Sequence, residues 1–431
     1  MRVCAADLLL CLSTVIGLAS GLVGQARAEG LTNGLRVQYA PIGTGREVTI
    51  ALAFPVGWQH DPPRRTGTAE TMGWWMTFVQ RGVPEDQRFK VLVQPRSTLL
   101  YHTGTRTSEQ FARVVELLAG AWEVTPDLCA LAKGKARLEA DNHSWLYPGS
   151  VIEQKAWRVL YRGHPAGRQS RGIPDQIGEL SQQEMAARYR QYYGPTGASV
   201  VVVGNLSPDR WSEFRRSIAA LPATAGSPPT QVHDDGPALQ VVAPHERVDG
   251  PYVTAAFRAV PRESADFPAF LLAMDVLRNE TFEEFGGHRG FEWKALFPFL
   301  DYRYWEDSLV VRINRRGPNG SAAVATRLEI EELLARVRRI GIDRQQLDSA
   351  RVEVRSTVSV PPFSDDLPDR MFEVRARYLA TALCNGWTLD MAERVAEVTL
   401  ARANRVLQEC LAPERLSWFA LEALELPYAR R

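Results

Sequence analysis

Two short apolar-rich runs, Leu35–Tyr39 and Val48–Phe54, lie on either side of a Gly43-Thr44-Gly45 turn and read as strands. After the turn residues Asp61-Pro62-Pro63, the stretch Thr66–Met76 sets Ala69, Met72 and Met76 on one face of a helix. Phe89–Val93 and Thr98–Thr103 then alternate as strands around Gln94-Pro95-Arg96. Ser108 is placed to cap a helix carrying Phe111, Val114, Val115, Leu117 and Leu118 at helical spacing. Thr125-Pro126-Asp127 opens another helix through Ala140, and Pro148-Gly149 breaks the chain before a helix over Val151–Tyr161. A helix capped at Ser181 runs to Tyr193, and an apolar strand, Ser199–Val203, closes this half.

The same order of patterns returns further on. Glu397–Pro413 aligns without gaps on Glu179–Pro195, pairing Ser181 with Thr399 as helix caps and Pro195 with Pro413. Val253–Phe257 echoes Val48–Phe54. The helical pattern Ala322–Ile340, ended by Gly341-Ile342-Asp343, parallels Phe111–Trp122 and its Thr125-Pro126-Asp127. Between the copies, residues 221–238 are rich in Pro, Gly, Ala and Thr and read as a linker. The expected organisation is a leader over residues 1–28, one unit over 29–220, the linker, and a second unit over 239–431. After Pro413 the pattern departs from the repeat, and Leu416–Leu424 is mixed enough to read as helical.

Composition changes this picture at the start of the chain. Leu8–Ala19 is apolar, interrupted soon after by Gly21 and Gly24, and Ala26-Arg27-Ala28 has the small-x-small form of a cleavage site. This is the pattern of a secretory leader and implies a periplasmic or secreted protein. No later segment is apolar enough to span a bilayer. Without Arg2, Arg27 and Asp7, the 51 basic and 50 acidic side chains become 49 of each. A neutral chain has no basic surplus for nucleic acid or anionic lipid. Beyond the leader, Cys129, Cys384 and Cys410 stand far apart in no metal spacing. They read as buried thiols, with a Cys384–Cys410 bridge as the alternative in an oxidising compartment. The seven histidines, His60, His102, His143, His164, His233, His245 and His288, are scattered singly, and most read as surface or turn residues. The chain has no Gly-x-Ser-x-Gly and no phosphate loop.

Four motifs then follow in order over about forty residues: Gly163-His164-Pro165-Ala166-Gly167, Gly172-Ile173-Pro174 with Ile177, Tyr192-Tyr193-Gly194-Pro195, and a Val-rich strand into Gly204-Asn205. With Asn33-Gly34-Leu35-Arg36-Val37, Val56-Gly57-Trp58 and Thr66–Ala69 before them, they resemble the pitrilysin/insulinase (M16) family of zinc peptidases. The resemblance implies an α+β fold, an α/β sandwich of two homologous domains, each a mostly antiparallel sheet flanked by helices. In that family the helix matching Thr66–Met76 carries His-x-x-Glu-His, two zinc ligands and a general base. Here those positions read Glu70-Thr71-Met72-Gly73-Trp74. The third ligand, a Glu on a following helix, falls at Ala140, with Glu139 as the alternative counterpart. Trp74 and Trp75 are expected to fill the volume of the metal site, and Glu70 to be a solvated or helix-terminal charge. The family's substrate-holding Asn-Ala pair falls at Lys90-Val91, and its Tyr at Pro298, with Arg289 nearby.

The expectation is therefore a chain with no catalytic residues, metal or cofactor at Glu70, Gly73, Trp74 and Ala140. Its leading role is non-catalytic partner of a zinc-bearing M16 peptidase, helping to form a peptide chamber. The alternatives are a stand-alone peptide-binding or scaffold protein, and a metalloendopeptidase with an unusual site. The aromatic run Phe297–Trp305 reads either as a partner surface or as a core strand.

Overall fold

The computed structural model describes residues 28–41, 47–105, 107–146, 152, 155–156, 158–162, 165–167, 171–224, 240–245, 250–286, 310–318, 321–358, 369–387 and 390–423. Leader residues 1–27, Pro148-Gly149, Gly163-His164, most of the linker, Arg289, Pro298 and the aromatic run 297–305 lie outside them.

The first half builds a six-stranded sheet from β1 (Glu29–Gly30), β2 (Arg36–Ala40), β3 (Val48–Phe54), β4 (Lys90–Val93), β5 (Thr98–Gly104) and β6 (Ser199–Gly204), in the order β1-β2-β6-β3-β5-β4. Only β2 and β6 run parallel; the other pairs are antiparallel. Its helices are α1 (Thr68–Phe78), α2 (Thr107–Leu118), α3 (Pro126–Leu146), α4 (Pro174–Gly178), α5 (Gln182–Tyr192) and α6 (Pro208–Ala219). The second half repeats the plan. Strands β7 (Gln240–His245), β8 (Tyr252–Arg258), β9 (Val310–Arg316) and β10 (Ser417–Ala423) lie in the order β7-β10-β8-β9, again with one parallel pair, β7 and β10. Helices α7 (Phe267–Gly286), α8 (Ala323–Ile340), α9 (Arg344–Val358), α10 (Asp369–Asn385), α11 (Met391–Ala396) and α12 (Leu400–Cys410) accompany it. The fold is α+β with mostly antiparallel sheets.

The matched caps show how the repeat is written. The Ser181 hydroxyl accepts from Glu184 N at the start of α5, and the Thr399 hydroxyl accepts from Arg402 N at the start of α12. Three local expectations need correction. The stretch expected to be helical is a strand over Ser417–Ala423, which pairs in parallel with β7 and antiparallel with β8. Its side chains alternate, Trp418 and Ala420 to one core, Phe419 and Leu421 to another, so tertiary pairing overrides a mixed local composition. Ser108 is not a cap but the second residue of α2, and α3 continues past Ala140 to Leu146. Cys384 and Cys410 form no bridge; both are free, buried thiols, as is Cys129.

The two halves exchange cover. On β3, Val48, Ile50, Leu52 and Phe54 face the helices of their own half, whereas Ala51 and Ala53 face a core that contains Ala376, Leu379, Ala380 and Leu383 of α10. The small residues on that face let α10 approach the strands closely. Ser199 Oγ donates to Ala380 O at 2.5 Å, and Arg36 donates to Leu383 O. In return, Ile152, Ala156, Leu160 and Tyr161 of the first half pack on Ala256, Phe419 and Leu421 of the second sheet.

Candidate functional site

Helix α1 is held in place at its N-terminus by a buried carboxylate. Asp61, 1% exposed, accepts from Gly67 N and Ala69 N, each at 2.8 Å, satisfying donors that the first turn cannot pair itself. Arg188 of α5 neutralises Asp61 at 3.2 Å and also donates to His60 O. Gly67 has a φ of +91° and lies against Gly172, where a Cβ would come within 2.4 Å of Gly67 Cα. Thr66 N and Oγ1 both donate to Gln176 Oε1, at 3.0 and 2.8 Å. The Gly172-Ile173-Pro174 motif is thus the seat of the α1 N-terminus, which is why the two motifs occur together.

From this seat α1 presents three faces. Met72, Trp75 and Met76 enter the core of the first half, with the Trp75 ring 4.8 Å from Tyr189 and 6.3 Å from Trp122. Gly73 faces the edge strand β4, where a Cβ would meet Val93 Cγ2 at 2.8 Å. Glu70 and Trp74 face α3, so Glu70, Trp74, Glu139 and Ala140 come together. Gly73 does not join them.

The character of this cluster differs from expectation in two respects. Glu70 is the helix-terminal charge of the two readings, in the first turn of α1, but it is not solvated: it is buried and paired with Arg171 Nη1 at 2.6 Å. Burial pushes its carboxyl up, Arg171 opposes this, and the nearby Glu139 charge adds to it. Trp74 alone occupies the position between α1 and α3, half-buried against Ala136, Ala140 and Ile177, with Lys135 Nζ 5.0 Å from its ring centre. Lys135 also pairs with Glu139 at 2.6 Å. Trp75 lies on the other side of the helix. The sequence reading missed Arg171, Lys135 and the Asp61–Arg188 pair. The Asp61-Pro62-Pro63 turn was a signal for the first partner of that pair, and nothing local pointed to the second.

Two histidines are also placed. His60 Nδ1 accepts from Gly57 N at 2.9 Å in a turn. His102 is buried rather than superficial, with Nδ1 3.1 Å from Arg88 O, and burial holds its pKa below the usual imidazole range. Lys90 and Val91 lie on β4, which among the described strands pairs only with β5, at one edge of the sheet. Lys90 pairs with Glu373 of α10 at 3.2 Å.

A catalytic zinc takes three protein ligands from imidazole, thiolate or carboxylate, with a base beside the bound water. The matching residues do not fit it. Glu70 is engaged by a guanidinium, Glu139 by an ammonium, Trp74 and Ala140 have no ligating atom, and Gly73 can supply no base. Among the described residues no three His, Cys, Asp or Glu side chains converge as a metal site. Nor is any described helix long and apolar enough to cross a membrane.

Residues 179–300 match the family model described as the peptidase M16 inactive domain. No curated protein matches the chain significantly. Among solved structures, a protease from Helicobacter pylori superposes with a TM-score of 0.75 at 17% identity, covering 92% of this chain and 99% of that one. A peptidase M16 inactive domain from Pseudomonas fluorescens gives 0.75 at 13% identity, covering 92% and 98%. The first half of the periplasmic protease PqqL from Escherichia coli gives 0.68 at 14%, covering 93% and 92%. The fold is that of M16 peptidase-like structures, and within it residues 179–300 resemble the peptidase M16 inactive domain.

Proposed function

We propose that this chain is an exported, non-catalytic M16-like protein that serves as partner subunit of a zinc-bearing M16 peptidase and supplies one wall of a peptide-binding chamber. One observation carries the reading. The α1 helix keeps its buried seat on Asp61, Arg188 and Gly172, while the positions that would hold metal and base have become a charge-paired, apolar-packed surface. Losing a site while keeping its scaffold is simplest where the surface itself is used. The outer edge of β4, beside α1 and unpaired among the described strands, offers backbone groups to an extended peptide. Export rests on the leader pattern over residues 1–28, and the working domain limits are 29–220 and 239–431. No residue of the chain then acts catalytically, and it needs no cofactor.

The test is co-expression with a zinc-bearing homologue from the same genome, followed by size-exclusion chromatography with light scattering and assays on unstructured peptides. A stable hetero-complex with altered peptide turnover is expected. A monomer at micromolar concentration that leaves a fully active homologue unchanged would remove the partner role. If that monomer still bound peptides, the stand-alone reading would replace it. Near one zinc per purified chain, with chelator-sensitive hydrolysis, would favour the unusual enzyme.

A further inference from the structure

We infer that the second half carries a docking groove for an acidic amphipathic helix of a partner protein, between α8 and the turn that leads from α12 into β10. The groove encloses about 780 Å³. Its floor is Leu334, Leu411, Leu416 and Trp418, and its rim includes Arg338 and Arg339.

The internal repeat shows what such a groove accommodates. Pro413, Leu416 and Trp418 align with Pro195, Ala198 and Val200 of the first half, and α8 corresponds to α2. There, β6 continues into α6, which folds back over this region. Phe214 stacks on Phe111 of α2 at 4.0 Å, and Ile218 is fully buried. Asn33 Nδ2 donates to Ile218 O and Leu221 O, and Thr224 exchanges hydrogen bonds with Thr196, beside Pro195. Trp211, Phe214 and Ile218 form the inward stripe of that helix. The surface has kept the matching character. Val324 and Leu328, on the groove side of α8 and about three and one and a half turns before Leu334, are 65% and 51% exposed.

Charge selects the partner. Arg327 is satisfied by Glu331 at 2.7 Å, but Arg338 and Arg339 have no carboxylate partner among the described residues. A docking helix therefore needs an apolar stripe of the α6 kind, flanked by Asp or Glu. This inference is independent of the proposed pairing with a zinc-bearing homologue, since the groove is remote from α1 and β4 in the chain and shares no residue with them.

The probe is a fluorescein-labelled peptide with the sequence of Pro208–Thr224 in which Arg210, Arg215 and Arg216 are replaced by Glu. Its binding to the full chain is followed by anisotropy. Micromolar affinity is expected, weakened about tenfold by Arg338→Glu/Arg339→Glu and abolished by Ala335→Trp, which fills the groove from an exposed position. The unmodified basic peptide should bind more weakly than the acidic one. Both protein variants change exposed or half-exposed side chains, and unchanged melting confirms that they fold. No binding at millimolar peptide, or equal binding by parent and both variants, overturns the inference. Self-association of the chain that Ala335→Trp dissolves would also overturn it, by making the occupant a second copy.

Discussion

Near neutral pH the Glu70 carboxylate depends chiefly on Arg171 for the stabilisation of its charge in a buried position. Its pKa is raised by burial, so the folded state holds this proton more tightly than the unfolded chain does. The stability linked to Glu70 is therefore fullest below the ordinary carboxyl value of 4.5 and declines as pH rises toward the folded value. Arg171→Ala would raise that value further. We expect a loss of about 1–2 kcal/mol near neutral pH, between an exposed and a fully buried pair because Arg171 is partly solvated. The gap between mutant and parent should close as pH falls toward 4.5, and Glu70→Gln in the same background should remove its pH dependence. Melting curves across pH check this; a gap constant with pH would contradict it. The two tryptophans separate in the same manner. Trp75→Ala empties a fully buried site and should cost about 3–5 kcal/mol. Trp74→Ala, half-buried, should cost less than half of that. Sequence spacing showed that this helix has an apolar face, but both tryptophans were assigned to the metal position. One residue along a helix turns about 100°, enough to carry Trp75 to the opposite side. Arg171 was illegible because its partner is 101 residues away.

At the scale of elements, α1 and β4 constrain each other. Gly73 lets the helix lie against Val91 and Val93, and a side chain there must displace Val93. Gly73→Glu alone should destabilise the chain by about 1–3 kcal/mol through overpacking and a buried charge. Rebuilding the motif as Glu70→His, Gly73→Glu and Trp74→His should consequently give neither stoichiometric zinc nor peptidase activity. Ala140 supplies no third ligand, and the new histidines would lack oriented supporting groups. Strong chelator-sensitive hydrolysis by the triple variant would refute this. Strand identities and caps in the first half were readable because alternation and capping are local rules, as with β3 and Ser181. β10 was not, because its strand character comes from two neighbours, β7 and β8, rather than from its own residues.

At the scale of the molecule, the repeat was legible as sequence, but the exchange of cover between its halves was not. Helices flanking each sheet were expected, but none over residues 369–385 and none crossing from one half to the other. The alternation in β3 contains the clue in hindsight: Ala51 and Ala53 are small because a helix from elsewhere lies on them. The consequence is thermodynamic. If β3 and β6 of the first sheet bury their second face only against α10, opening α10 exposes both halves at once. The chain should then unfold as one cooperative unit rather than as two domains in sequence. Leu379, 1% exposed in α10, is a suitable probe, since its contacts lie in the shared core. Leu379→Ala should cost about 2–5 kcal/mol. Native-state hydrogen exchange should register that loss equally in β3 and β6 of the first half and in α7 of the second, with one shared opening free energy. If β3 and β6 kept the parent's protection while α7 and α10 lost theirs, the halves would be energetically separate and the shared core would be contact without coupling.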